Sequence, residues 1–237
     1  MKKILFIASA LFLAIPFSSF SQKDENKKIE GSDNIVTKDV AVQSFSELKV
    51  SGVFSLYLEQ GNTESVKIEA DDNFQPLFEV KNEGSKLVIK MQDHINLKTK
   101  KGSKGMKVYI TFKSLKSMEL STVGNISAEK KLSFNDLEIK NNSVGSINLN
   151  LTAKSIHIRN ESVGTVMLTG SADEAIIKNN GVGSLKAYDF VVQKMEINNE
   201  GIGSAEVNAE KELKVKDSFL GKVSNKGAAK RINKVVI

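Results

Sequence analysis

The chain has 237 residues, 34 basic against 28 acidic, with no cysteine and no tryptophan. Its net charge of +6 is interspersed rather than gathered into one field, and aromatics are sparse, which argues against a nucleic-acid partner. The absence of cysteine excludes disulfides, thiol catalysis and a lipid-modified N-terminal cysteine, so stability must come from burial and backbone pairing.

Residues 1–21 read as a signal peptide. Met1-Lys2-Lys3 is positive, Ile4 to Phe17 is apolar apart from Ser9, and Ser18-Ser19-Phe20-Ser21 supplies a cleavage region before Gln22. The apolar run is shorter than the about twenty residues of a membrane span, and no later stretch is long enough for one. The mature chain is therefore expected to have no transmembrane segment and a net charge of 32 − 28, or +4. Export places it in the periplasm, at the outer membrane or on the cell surface. Residues 22–39, with Lys23, Asp24, Glu25, Lys27 and Lys28 close together, read as a flexible tether. A single domain is expected over 40–237, irregular in 40–115 and regular in 116–237.

The first part alternates with the two-residue period of half-buried strands, as at Phe54-Leu56-Leu58, Val66-Ile68-Ala70, Leu87-Ile89-Met91 and Val108-Ile110-Phe112. Gly61-Asn62, Asn82-Glu83-Gly84 and Gly102 to Gly105 mark turns between them. Asp71-Asp72-Asn73 is placed to cap one helical turn, with Pro76 near its start.

The second part repeats. Gly124, Gly145, Gly164, Gly183, Gly203 and Gly221 recur at gaps of 21, 19, 19, 20 and 18 residues, each inside a motif such as Ser143-Val-Gly-Ser-Ile147 or Gly181-Val-Gly-Ser-Leu185. Aliphatic pairs hold fixed offsets on both sides, as at Leu137/Ile139 before Gly145 and Ile147/Leu149 after it. A third, less regular apolar segment follows, so each unit holds two or three short strands separated by bends. Such a unit cannot bury its apolar face alone, whereas stacked units bury a continuous column. The fold expected is all-β, a single-stranded parallel β-helix (β-solenoid) with coils of about 20 residues, strands about 4.8 Å apart and glycine at the sharp corners. Four residues before the glycines stand Asn141, Asn160, Asn179 and Asn199, followed by Asp217. In register these amides can bond to one another as a ladder; the alternative is that Asn tolerates turn geometry.

With its leader, an opening strand near Phe45 to Val50 and serial glycine corners, the sequence resembles the putative auto-transporter adhesin, head GIN domain family, over nearly all of residues 40–230. That family, frequent in Bacteroidetes, is a domain of unknown function. The corners here read Ser-Val-Gly or Gly-Val-Gly, where family members more often show Gly-Ser-Gly. The resemblance implies a right-handed parallel β-helix in an exported or envelope-associated protein. No run of amphipathic ten-residue strands is left to build a translocator barrel, and Gly227 to Ile237 read as a last coil or cap.

Chemistry is sparse. His94 and His157 lack partners at metal-ligand spacing and read as solvated. Asp71 and Asp72 are adjacent, but glycoside hydrolysis needs carboxyls facing across about 5–10 Å, so a helix-capping or turn role fits them better. No catalytic, cofactor-binding or metal-binding residue is assigned, and no cofactor is expected. Lys98, Lys100, Lys101, Lys104 and Lys107, with no acid among them, form either a solvated loop or a polyanion contact. The expectation is a non-enzymatic adhesion, interaction or structural module at the cell envelope, with a glycan or envelope protein as partner and homo-oligomers possible. A polysaccharide-acting enzyme and a periplasmic partner of an envelope signalling system are the alternatives.

Overall fold

The computed structural model describes residues 27–93, 95–98 and 105–233; the expected leader, His94, Lys100, Lys101 and Lys104 lie outside them. Strands β1 (Lys27–Glu30), β2 (Ile35–Val40), β3 (Glu47–Gly52), β4 (Ser55–Gln60) and β5 (Ser65–Asp71) lead into a single 3-10 turn, Gln75–Leu77. Then come β6 (Phe78–Glu83), β7 (Lys86–Met91), β8 (Ile95–Lys98), β9 (Lys107–Phe112) and β10 (Ser117–Thr122). Beyond them each coil is one long, bent strand: β11 (Ile126–Asn141), β12 (Ile147–Asn160), β13 (Val166–Asn179), β14 (Leu185–Asn199) and β15 (Ala205–Asp217). The short β16 (Val223–Asn225) and β17 (Arg231–Asn233) complete a partial last coil. What the spacing reads as separate short strands is thus a ribbon that turns corners while keeping its pairing.

The protein is a β-solenoid of stacked parallel coils. Successive coils pair in register, so inward residues fall into columns. On one face Ile139, Ile158, Ile177, Ile197 and Val215 are register partners, and all are buried. On a second face the column is Ile126, Ile147, Val166, Leu185 and Ala205. A third wall carries Leu132 against Leu151 and Ala172 against Val192 and Ala209.

Toward the N-terminus the same two faces change character. The first runs through β10, β3 and β7 and ends on antiparallel β6; the second runs through β4 and β9 and ends on antiparallel β5 and β2. Phe45, Phe54, Phe74 and Phe112 fill the space between them. The terminal strands carry Lys38, Asp39, Lys81 and Glu83, charges that discourage another chain from adding to the edge.

Two local expectations are corrected. Within the stretch read as a tether lie β1 and all of β2 but its last residue, β1 parallel to β8 and β2 antiparallel to β5 from Ile35–Asp71 to Val40–Val66. An edge strand is held through its main chain and can keep polar side chains in water, so composition does not betray it. The cap residue of the 3-10 turn is Phe74, with no side-chain cap bond. The carboxylates turn the other way. Asp71 accepts the Asp33 N–H at 2.6 Å, while Asp72 accepts the Ser32 hydroxyl at 2.5 Å and the Asn34 amide at 2.9 Å. The Ser32 hydroxyl, followed by the Asn34 amide, holds the Asp72 carboxyl below its ordinary pKa. Both acids pin the turn between β1 and β2.

Candidate interaction surface

The corner motif explains itself residue by residue. At Gly145 φ is +136°, and a Cβ there would lie 2.4 Å from the Gly124 carbonyl oxygen, so only glycine lets the coils close up. The small residue two positions earlier points inward: Ser143 and Ser162 are buried, and the Ser162 hydroxyl donates to Asn160 Oδ1 at 2.8 Å. Beneath it runs an amide ladder. Asn141 donates to Asn160 at 2.6 Å, Asn160 to Asn179 at 2.7 Å, and Asn179 to Asn199 at 2.5 Å, each from Nδ2 to Oδ1. Asn199 donates onward to the Gly221 carbonyl at 2.6 Å.

Between the small residue and the glycine stands the one apolar residue of the corner, and it faces solvent. Val123, Val144, Val163, Val182 and Ile202 bridge one another in parallel from coil to coil and are 52, 47, 50, 47 and 56% exposed. Val53 before them (48%) and Leu220 after them (59%) extend the line toward both ends. The result is an apolar ridge along the solenoid. Asn125, Ser146, Thr165, Ser184 and Ser204 follow the glycines and border it with hydroxyls and an amide.

The coil register shifts at three of the four pairings among β11 to β15, and the first of these shifts lies between β11 and β12. In β11 three residues, Glu129 to Lys131, lie between Ala128 and Leu132, whose register partners Leu149 and Leu151 have only Asn150 between them. These 3 − 1 = 2 extra residues are the difference between the 21-residue gap and the 19-residue one. The bulge overhangs the second face, where Lys130 Nζ meets Glu59 Oε1 at 2.6 Å. Gln60 ties down its far end, donating to the Ser133 carbonyl at 3.1 Å and accepting the Ser133 N–H at 2.8 Å. Beside the overhang Tyr57 and Tyr109, cross-strand partners, stack with centroids 4.8 Å apart and planes 17° from parallel. Behind Tyr109, Glu69 accepts Lys107 Nζ at 2.6 Å, which raises the Lys107 pKa, while burial raises that of Tyr109. A slot of ≈ 240 Å³ opens here, lined among others by Tyr57, Ser127, Glu129, Lys130 and Glu59. On the other side of the bulge a wider groove of ≈ 750 Å³ runs past Phe134, Asp136, Glu138 and His157.

Of the five lysines singled out by sequence, the two described ones face acids of their own chain: Lys98 approaches Glu30 at 4.0 Å and Lys107 bonds Glu69. His157 is exposed, in register with Glu138. Among the described residues no group of three or more His, Cys, Asp or Glu is arranged to hold a metal ion. No described helix is long and apolar enough to cross a membrane. The ridge and the tyrosine pair escape a reading built on glycines and inward aliphatics. Their signals were an apolar residue out of phase with the buried columns and a gap two residues too long.

Stacked parallel coils with columnar cores define the class: a β-solenoid. The chain belongs to the putative auto-transporter adhesin, head GIN domain family, whose family model matches residues 44–229. A solved structure from Bacteroides fragilis, called a putative adhesin, matches with 25% identity and a TM-score of 0.73, over 87% of this chain and 100% of that one. A putative adhesin from Parabacteroides merdae matches at 16% identity and TM-score 0.52, over 88% of this chain and 100% of that one. A putative lipid binding protein from Parabacteroides distasonis matches at 19% and 0.52, over 89% and 100%. These last two share the fold. No curated protein matches the chain.

Proposed function

We propose that this chain is an exported, non-enzymatic interaction module of the cell envelope that holds its partner along one side of the solenoid. The observation that carries this reading is the exposed ridge of Val123, Val144, Val163, Val182 and Ile202. Threonine would satisfy the same extended backbone, since both residues are β-branched and favour strands. Repeated choice of a hydrocarbon over a hydroxyl at half-exposed positions adds solvent-facing apolar area, and contiguous apolar surface of that kind marks contact sites. A rigid row of small apolar groups with a polar border makes weak contacts at each coil, and affinity accumulates when the partner is itself extended or repetitive.

The test replaces Val123, Val144, Val163 and Val182 by threonine together and measures binding of the purified protein to envelope fractions of the producing bacterium. Binding at least tenfold weaker at an unchanged melting temperature is expected. Equal binding by wild type and variant overturns the ridge as the contact surface. Protease digestion of intact against lysed cells assigns the compartment, because only a surface-exposed protein is cut without lysis.

A further inference from the structure

The geometry points to a sugar-binding subsite on Tyr57, in which one pyranose ring of a neutral glycan stacks on the tyrosine face beneath the Glu129–Lys131 overhang. The inference deepens the interaction-module reading and rests on it. Tyr109 covers one face of Tyr57. Its opposite face looks toward the next coil, where the register partner is Ser127, too small to cover a ring. An aromatic face is therefore left open in a position where a larger residue would have closed it. Of three tyrosines in a chain without tryptophan, two are spent on this stack.

The slot matches a sugar in both shape and polarity. A pyranose has an apolar C–H face for the ring and a rim of hydroxyls that both donate and accept. Around Tyr57 stand the carboxylates of Glu59 and Glu129, the ammonium of Lys130 and the hydroxyl of Ser127, which offer both kinds of partner. A free cation is disfavoured, because the Glu59 carboxylate already holds Lys130 at 2.6 Å and an ammonium occupies the slot. An acidic sugar meets two carboxylates. At ≈ 240 Å³ the slot is smaller than the about 300–1,000 Å³ of sites that enclose a drug-sized ligand, so it suits one ring of a longer chain. The outward residues of the next two coils on this face, Asn148 and Asn150 and then Met167 and Thr169, carry no charge, which suits a neutral glycan running across them; Lys186 and Glu206 continue the column beyond.

Tyrosine emission reads the experiment directly, since no tryptophan masks it. The mature protein is titrated with neutral hexasaccharides of glucose, galactose, mannose and N-acetylglucosamine, and with oligogalacturonate. A saturable emission change with at least one neutral hexasaccharide, and at least tenfold weaker binding of oligogalacturonate, is expected. Ser127→Tyr adds a third ring to the stack and fills the slot; it should weaken that binding at least tenfold at an unchanged melting temperature. Deletion of Lys130 and Lys131, which restores the 19-residue spacing, should do the same by removing the wall. If no neutral hexasaccharide binds, if the acidic one binds better, or if both folded variants bind like wild type, the subsite is overturned. Envelope binding measured in parallel separates the two readings. Envelope binding that persists without sugar binding removes the subsite and leaves the module; loss of envelope binding by wild type removes the module itself.

Discussion

Asn160 gives and receives at once: its amide donates to Asn179, and its carbonyl oxygen accepts from Asn141 and from the Ser162 hydroxyl. Truncation to alanine leaves three buried groups short of a partner. At about 1–3 kcal/mol for each such group, part of it relieved by relaxation, Asn160→Ala should cost about 3 kcal/mol or more in urea unfolding. Asn141 sits at the end of the ladder, where the neighbour in the column is Leu120 rather than another amide. Asn141→Leu breaks one ladder bond and one bond from the Ser143 N–H, but gains an apolar neighbour. It should cost roughly half as much as the interior change. Equal costs would mean that the bonds are not the source of the stability. The corner glycines give a similar contrast. Gly145→Ala forces a Cβ into a carbonyl oxygen and should cost at least ~3 kcal/mol, whereas Gly84, at φ +60° with open space around it, should cost about 1 kcal/mol. Asp217 closes the Asn column in another currency. Arg231 grips its two oxygens at 2.6 and 3.0 Å and, with burial opposing, holds its carboxyl below the ordinary value. A depressed carboxylate contributes stability that is complete above the unfolded value, about 3.9, and is lost as the pH falls through the lower folded one. Amide protection in β17 should therefore fall in acid in the wild type and be low, and independent of pH over that range, in Asp217→Asn.

At the scale of elements, the regular coils were legible because each obeys the same local rule: aliphatics at fixed offsets, a small inward residue and a glycine forced by close backbone approach. The Asn column was legible for the same reason, its offset being fixed by register. Strands β1 and β2 were not, since main-chain pairing at an edge leaves no trace in hydrophobicity. Of the two roles read for the Asp71-Asp72 pair, the turn is the one it serves and the helix cap is not, because sequence order cannot tell which neighbouring turn a carboxylate will serve. The bulge at Glu129–Lys131 was half legible. The long gap stood in the spacing, but only the register assigns its two extra residues to one face, and only cross-strand pairing brings Tyr57 and Tyr109 together from positions 52 residues apart. Removing Lys130 and Lys131 should leave far-ultraviolet circular dichroism unchanged, because β12 and β13 pass this corner with a single residue between the paired positions. Loss of the β spectrum would show that the overhang is part of the folding unit instead of an addition to it.

For the whole molecule, the solenoid is a one-dimensional stack whose contacts are between neighbouring coils. Its N-terminal end finishes in antiparallel strands over an aromatic core. Among the described residues, its C-terminal end carries two three-residue strands, with Phe219 90% exposed. Cooperative unfolding should therefore start from the C-terminal coil, and hydrogen exchange should rank β16 and β17 as least protected, with β12 and β13 among the most. The stack also makes the functional claim quantitative. Each coil adds one aliphatic residue to the ridge, so length and binding strength are coupled, while the fold tolerates the loss of a unit. Deleting residues 146–164 removes one complete 19-residue coil and joins Gly145 to Thr165, which repeats the Gly164–Thr165 junction. Envelope-binding affinity of this shortened protein, measured beside its melting curve, is the most direct test. A cooperative fold with affinity reduced several-fold is the result predicted for a multivalent ridge; a cooperative fold with undiminished affinity would contradict it.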